Sequence, residues 1–311
     1  MNFKRIFGVS LTPTLAVQVL TQIVYIGFAL NFAAHPRPLV WFFALLSTHV
    51  LIDYALRRFA HLQSHPKVTP APETGSHAWI RLNIVAATIS LFVNVEAFSY
   101  PALAIAGLFI FISKIWLIGP DGRHVYNPSA IASVLAITLL PQHLTYGGTS
   151  WGDFWHVHVW ALPLAIAVAW LAKGLWISMS YVLGLSLASL AWHYVGSWLD
   201  LRPIWATQTL GPLFWIATLG SLGSMIFTFN IITDPQTSPR RRKEQWAFGF
   251  LIGVVDLVLR SLLIVMPDLL AYVFVQSGWF AYRLVRGESC EISEAKSHKI
   301  ASVSMASHTN D

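Results

Sequence analysis

The stretch Ile232-Thr233-Asp234-Pro235-Gln236-Thr237-Ser238-Pro239-Arg240-Arg241-Arg242-Lys243 closes one long apolar run and opens another. Two prolines, several hydroxyls and a carboxylate are costly beside lipid unless they line a site or satisfy a broken helix. The four cations that follow mark a membrane surface, because basic residues gather on the inner side. One short segment thus suggests both a candidate site and an orientation.

Working outward, the composition agrees with that reading. Of 311 residues, 55% are hydrophobic and only 11% charged, with a mean hydropathy of +0.59. Soluble domains carry about 25% charged residues, so a polytopic membrane protein is expected. The net charge of +6 would suggest nucleic acid in a soluble chain. Here the positions of the charges explain it, and no nucleic-acid partner is expected. The single cysteine, Cys290, excludes a disulfide framework within the chain and a thiolate metal cage. The first apolar run begins near Thr12 without a clean small-residue cleavage site, so no cleavable signal peptide is expected.

Ten apolar segments are expected, at roughly 14–34, 38–57, 79–99, 101–118, 128–141, 157–173, 175–196, 209–231, 246–266 and 268–285. Residues 128–141 are short for a full span and suit a half-helix. With the N-terminus inside, the inner side receives Lys4, Arg5, Arg57, Arg58, Lys67, Arg81, Lys114, Arg123, Lys173, Arg240, Arg241, Arg242, Lys243, Arg283, Arg286, Lys296 and Lys299. The outer side receives Arg37 and Arg202, while Arg260 lies within the ninth segment. Both termini are therefore expected in the cytoplasm. A single transmembrane domain over 1–286 is expected, with a disordered cytoplasmic tail at 287–311.

Two prolyl motifs suggest an internal repeat. Asn127-Pro128-Ser129 opens the fifth segment, and Asp234-Pro235 follows the eighth, 107 residues further on. Proline at a helix start lacks the N–H that would be unpaired there anyway, and the positive end of the helix dipole attracts polar ligand edges. Two readings stay open: ordinary N-caps at membrane entry, or paired broken helices lining a midplane site.

Together with Ser113-Lys114, the runs Gly122-Arg123-His124-Val125-Tyr126-Asn127-Pro128-Ser129 and Thr233-Asp234-Pro235-Gln236-Thr237-Ser238-Pro239 resemble a known superfamily. It comprises the D subunit of the Rnf electron-transport complex and the B subunit of the sodium-pumping NADH:quinone oxidoreductase. The likeness covers roughly residues 38–285, and the Arg-rich sequel to the second motif is closer to a side branch labelled as enediyne-biosynthesis membrane proteins. The resemblance implies an all-α, urea-transporter-like fold of about ten transmembrane helices. These would form two five-helix repeats, here roughly 14–141 and 157–285, in a bacterial cytoplasmic membrane.

It also implies a flavoprotein. Redox members carry FMN esterified to a threonine in a short outer S/T-G-A/S-T motif, and riboflavin can bind non-covalently among the helices. The matching loop is Thr145-Tyr146-Gly147-Gly148-Thr149-Ser150-Trp151-Gly152, with Thr149 as the candidate acceptor. Tyr146 departs from the pattern, standing where a serine or threonine belongs, and Asp153 follows the motif rather than leading it. A simple Gly-Gly turn between two spans is the competing account of the loop. Lys114, Arg123, Asn127, Asp234 and Thr237 are the other candidate binding residues, for FMN, riboflavin or a quinone. Partners would be further membrane redox subunits and the lipid bilayer. The competing functions are a transporter or channel of the same fold without flavin, and a cofactor-free scaffold.

Other polar residues are readable singly. Asp256 and Arg260, four apart on one helical face, are expected to pair. Gly249 and Gly253 form a G-x-x-x-G that permits close helix packing within the bundle. His49 and His193 lie at different depths, and His156 and His158 do not share a face, which argues against a two-histidine haem site.

Overall fold

The computed structural model describes residues 95–97, 100–117, 119, 124–146, 155–198, 222–234, 237–262 and 264–286. The expected segments at 14–34 and 38–57, most of 79–99, the first part of 209–231 and the tail at 287–311 lie outside this set. The described residues are helical apart from one small ribbon. Strand β1 (Val95–Ala97) leads to α1 (Tyr100–Trp116) and α2 (Pro128–Leu139), followed by β2 (Leu144–Tyr146). Next come α3 (Trp155–Leu171), α4 (Leu175–Trp198) and α5 (Leu222–Ile226), which passes directly into a π-helical turn at Phe227–Ile231. Helices α6 (Arg242–Ser261) and α7 (Pro267–Val285) complete the order.

These bounds follow the apolar segmentation closely, with two departures. Residues 95–97, expected at the end of a helix, are extended and pair antiparallel with β2, Glu96 opposite Thr145. The ribbon gives the backbone at the β1–α1 and α2–β2 connections hydrogen-bond partners where the helices stop. Helix α6 begins at Arg242, inside the basic run rather than after it, because long cationic side chains can snorkel from a first turn. The 12 residues of α2 span only about 18 Å, short of a hydrocarbon core of about 30 Å. Helix α4 contains the stretch Leu175–Val195, 21 residues of mean hydropathy 1.5, long and apolar enough to cross a membrane.

Helices α4 and α6 form the tightest pair. A Cβ added to Gly249 would lie 2.2 Å from the Ile177 carbonyl oxygen, and one added to Gly253 would lie 2.4 Å from that of Tyr181. From the other side, a Cβ added to Gly184 would lie 2.5 Å from the Phe250 carbonyl oxygen. Backbones this close leave no room for a methyl group, which is why small residues recur in such helix pairs. The expected G-x-x-x-G contact therefore exists, and its partner is α4. Helices α6 and α7 also pack together, α2 packs on α1 and α7, and α3 lies against the π-helical turn. Between them runs a chain of edge-on rings, Tyr181 to Phe227 (5.5 Å), Phe227 to Tyr272 (6.1 Å) and Tyr272 to Phe248 (6.2 Å). Such tilted contacts suit the ring quadrupoles.

Candidate functional site

The site begins where a helix ends. The Ile232 N–H donates to Phe227 at 3.1 Å, a five-residue step that widens the last turn. Ending a helix leaves its last carbonyls without intrahelical donors, and here side chains take them one by one. Ser178 Oγ donates to the Thr228 carbonyl (2.6 Å), Thr233 Oγ1 to that of Phe229, and Ser238 Oγ to that of Ile232 (2.7 Å). The Ile231 carbonyl accepts from Tyr272 Oη (3.0 Å) and, at longer range, from Asn127 Nδ2. The hydroxyls of the Thr233–Ser238 motif thus have a local purpose, satisfying a helix broken inside an apolar bundle. The Asp234 carbonyl accepts from the backbone N–H groups of Thr237 (3.1 Å) and Ser238 (3.0 Å), which turns the chain toward α6.

The other prolyl motif meets this break. Asn127 is buried and caps α2, its Oδ1 accepting from the N–H groups of Ser129 (3.0 Å) and Ala130 (3.3 Å) and from Ser129 Oγ (2.7 Å). Its Nδ2 donates to Asp234 Oδ2 at 3.1 Å. Asn127 is therefore an N-cap, as the first reading has it, and the two motifs, 107 residues apart, are in contact. Tyr126 Oη lies 2.9 Å from Ser277 Oγ, and the Asn127 N–H donates to Gln276 Oε1 at 3.3 Å, pinning the start of α2 onto α7. Thr237, buried, shares a 3.0 Å hydrogen bond with the Tyr272 hydroxyl.

Of the sequence-derived candidates, Asn127, Asp234 and Thr237 come together here. Lys114 falls in the last turn of α1, while Arg123 and Thr149 lie outside the described residues. The structure adds Tyr272 and Gln276, both buried on α7. Gln276 Nε2 is buried without a hydrogen-bond partner among the described residues, as is Asn230 Oδ1 on the π-helical turn. A buried amide donor without a partner costs about 1–3 kcal/mol, so an unfilled one inside a polar junction marks a place for a ligand atom. The sequence did carry a signal for Gln276, a lone amide within the apolar run of α7.

A second polar cluster lies deeper between α4, α6 and α7. Asp256 is fully buried and receives Arg260 through Nε at 2.8 Å and Nη2 at 3.2 Å, as their spacing predicts. Tyr181 Oη adds a 2.7 Å bond to Asp256 from the facing helix. Asp268, also buried, accepts from the Leu269 N–H at the start of α7.

Residues 158–275 match the model of the NQR2, RnfD, RnfE family. This stretch runs from α3 to the middle of α7 and contains the second motif, Thr233–Pro239, while the first, Gly122–Ser129, precedes it. The matched stretch includes α4, whose Leu175–Val195 portion is long and apolar enough to cross a membrane. No curated protein matches the chain.

Proposed function

We propose that the chain is a membrane subunit of a flavin-dependent electron-transport system, relaying electrons through a bound flavin beside other redox subunits. The observation that carries this reading is the Asn127–Asp234 junction with the unpartnered Gln276 Nε2 at its edge. A flavin pyrimidine edge carries two carbonyl acceptors and a ring N–H. The open donor of Gln276 and the open acceptor of Asn230, on two elements that meet here, suit such an edge. Asn127 and Thr237 spend their polar atoms on the helix break and on Tyr272, so their part is to position the junction. When bound, the flavin supplies the electron chemistry, and the protein supplies position and a shielded environment.

The apolar segmentation and the resemblance support the wider layout of about ten spans in two five-helix repeats. The distribution of basic residues supports cytoplasmic termini in a bacterial inner membrane. Thr149 is the proposed acceptor of covalent FMN, in addition to or in place of the junction flavin, and a quinone is a further candidate partner.

The test is purification in mild detergent after expression with a flavin-attaching enzyme, followed by a visible spectrum and acid precipitation. Flavin released to the supernatant, and lost in Gln276→Leu, is the result expected for the junction. Fluorescence kept in the pellet and abolished by Thr149→Ala identifies the covalent site. A colourless wild-type preparation overturns the proposal in favour of a transporter or scaffold that keeps the fold alone.

A further inference from the structure

The start of α4, the start of α6 and the end of α7 meet at one end of the bundle. Gln245 Nε2 on α6 donates to the Lys173 carbonyl beside α4 at 2.8 Å, and Glu244 lies 3.5 Å from Arg286 at the end of α7. Six cations, Lys173, Arg240, Arg241, Arg242, Lys243 and Arg286, are exposed there. Among the described residues of these turns the opposing carboxylate is Glu244, which also lies 3.7 Å from Arg241. The Arg242 guanidinium sits 3.6 Å over the Trp176 ring, and that ring stacks at a tilt on Trp246. Arg241 at the N-cap of α6 makes no side-chain capping bond, so the positive dipole end of the helix, with Glu244 in its first turn, adds to the field.

Below Trp176, α4 continues as an exposed apolar stripe, Met179, Leu183, Leu187 and Leu190, at helical spacing along the span that can cross a membrane. Cations set over an indole and continued by an exposed apolar stripe match the shape of a phospholipid. The phosphate meets the guanidinium and ammonium groups, the indoles lie at headgroup depth, and the acyl chains follow the stripe. A soluble acidic protein would use the cations and leave the stripe unexplained.

We infer that this end of the bundle is a headgroup site for an anionic phospholipid whose chains run down the Met179–Leu190 stripe of α4. The test uses the full-length protein reconstituted in vesicles of equal parts phosphatidylglycerol and phosphatidylcholine, then extracted into nanodiscs, with the retained lipid measured by mass spectrometry. Wild-type protein is expected to enrich phosphatidylglycerol over the bulk mixture. Each cation neutralised lowers the preference by about fivefold, so Arg240→Gln/Arg242→Gln/Lys243→Gln abolishes it. Arg242→Lys retains most of it. Trp176→Leu, which keeps every charge, lowers it and provides a second reading should the triple variant misfold. Retained lipid that mirrors the bulk mixture overturns the inference. So does a triple variant that elutes normally and keeps the same enrichment, or a patch that binds polyglutamate while showing no lipid preference.

Discussion

The α4–α6 interface and the Asn127–Asp234 junction lie in the same bundle and solve opposite problems. At the interface, unbroken helices satisfy their own backbones, and glycines bring them so close that a single methyl group would collide. The Asp256–Arg260 pair beside it is completed by Tyr181. At the junction the backbone is broken and the turn widened, and hydroxyls and amides from α2, α4 and α7 repair it. At the closest approach of the interface Ser180 Oγ is bonded to carbonyls of both helices, while the junction retains a donor and an acceptor among the described residues. Closely packed, satisfied structure gives rigidity; interrupted structure, once its own needs are met, leaves groups over for chemistry.

That contrast can be broken most forcefully at Asp256. Asp256→Ala removes the buried acceptor of both Arg260 and Tyr181 and is expected to cost about 3–5 kcal/mol, as removal of one partner of a buried pair does. It should be read as loss of a folded, monodisperse species in detergent. Asp256→Leu combined with Arg260→Leu should recover most of that loss. No recovery would mean that the cluster does more than hold the helices.

Gly253→Ala comes next. Its new methyl group meets the Tyr181 carbonyl and Leu185 N–H, and overpacking of this kind costs about 1–3 kcal/mol. A thermal unfolding midpoint equal to wild type would show that α4 and α6 separate readily, weakening the contrast with the junction. At the junction, Asn127→Ala removes a helix cap and the contact to Asp234, each worth about 1 kcal/mol. The proposal separates this effect from function: Asn127→Ala lowers both stability and flavin content, whereas Gln276→Leu removes flavin while giving up only the 3.3 Å bond to the Asn127 N–H, a smaller loss of stability. Equal flavin in both variants would detach the cofactor from the junction.

The smallest effect is expected at the turn between α3 and α4. Lys173 adopts a left-handed conformation with φ of 58°, which glycine takes without strain. Lys173→Gly should therefore raise the unfolding midpoint slightly, by the equivalent of about 0.5–1 kcal/mol. The neighbouring Gly174, pressed against Thr233 at the helix break, should tolerate no such exchange. Opposite signs for Lys173→Gly and Gly174→Ala would locate the strain in one residue and the packing in the next.

Much of this was legible residue by residue. The i,i+4 spacing of Asp256 and Arg260 foretold their bond, because the helix repeat alone brings them together. Gly249 and Gly253 announced close packing, since nothing else explains two absent side chains on one apolar face. The helix bounds followed the hydropathy, and the short α2 was visible as a half-length run before Leu140 and Pro141. By contrast, nothing in the local pattern joins Tyr181 to Asp256, 75 residues away, or Ser178 to the Thr228 carbonyl. Tyr272 and Gln276 read as ordinary members of α7 until the break in another helix was placed beside them.

By itself, the sequence determined an apolar helical chain, its segment bounds, its cationic flank and two prolyl motifs of matched character. These depend on local chemistry: the cost of charge in lipid, the helical repeat and the missing N–H of proline. Only the tertiary structure decided that Asn127 meets Asp234, that α4 is the partner of the α6 glycines, and that Gln276 keeps an unused donor. Each of those depends on which carbonyls a broken helix leaves open and which distant side chains reach them first, a competition settled in space and not along the chain.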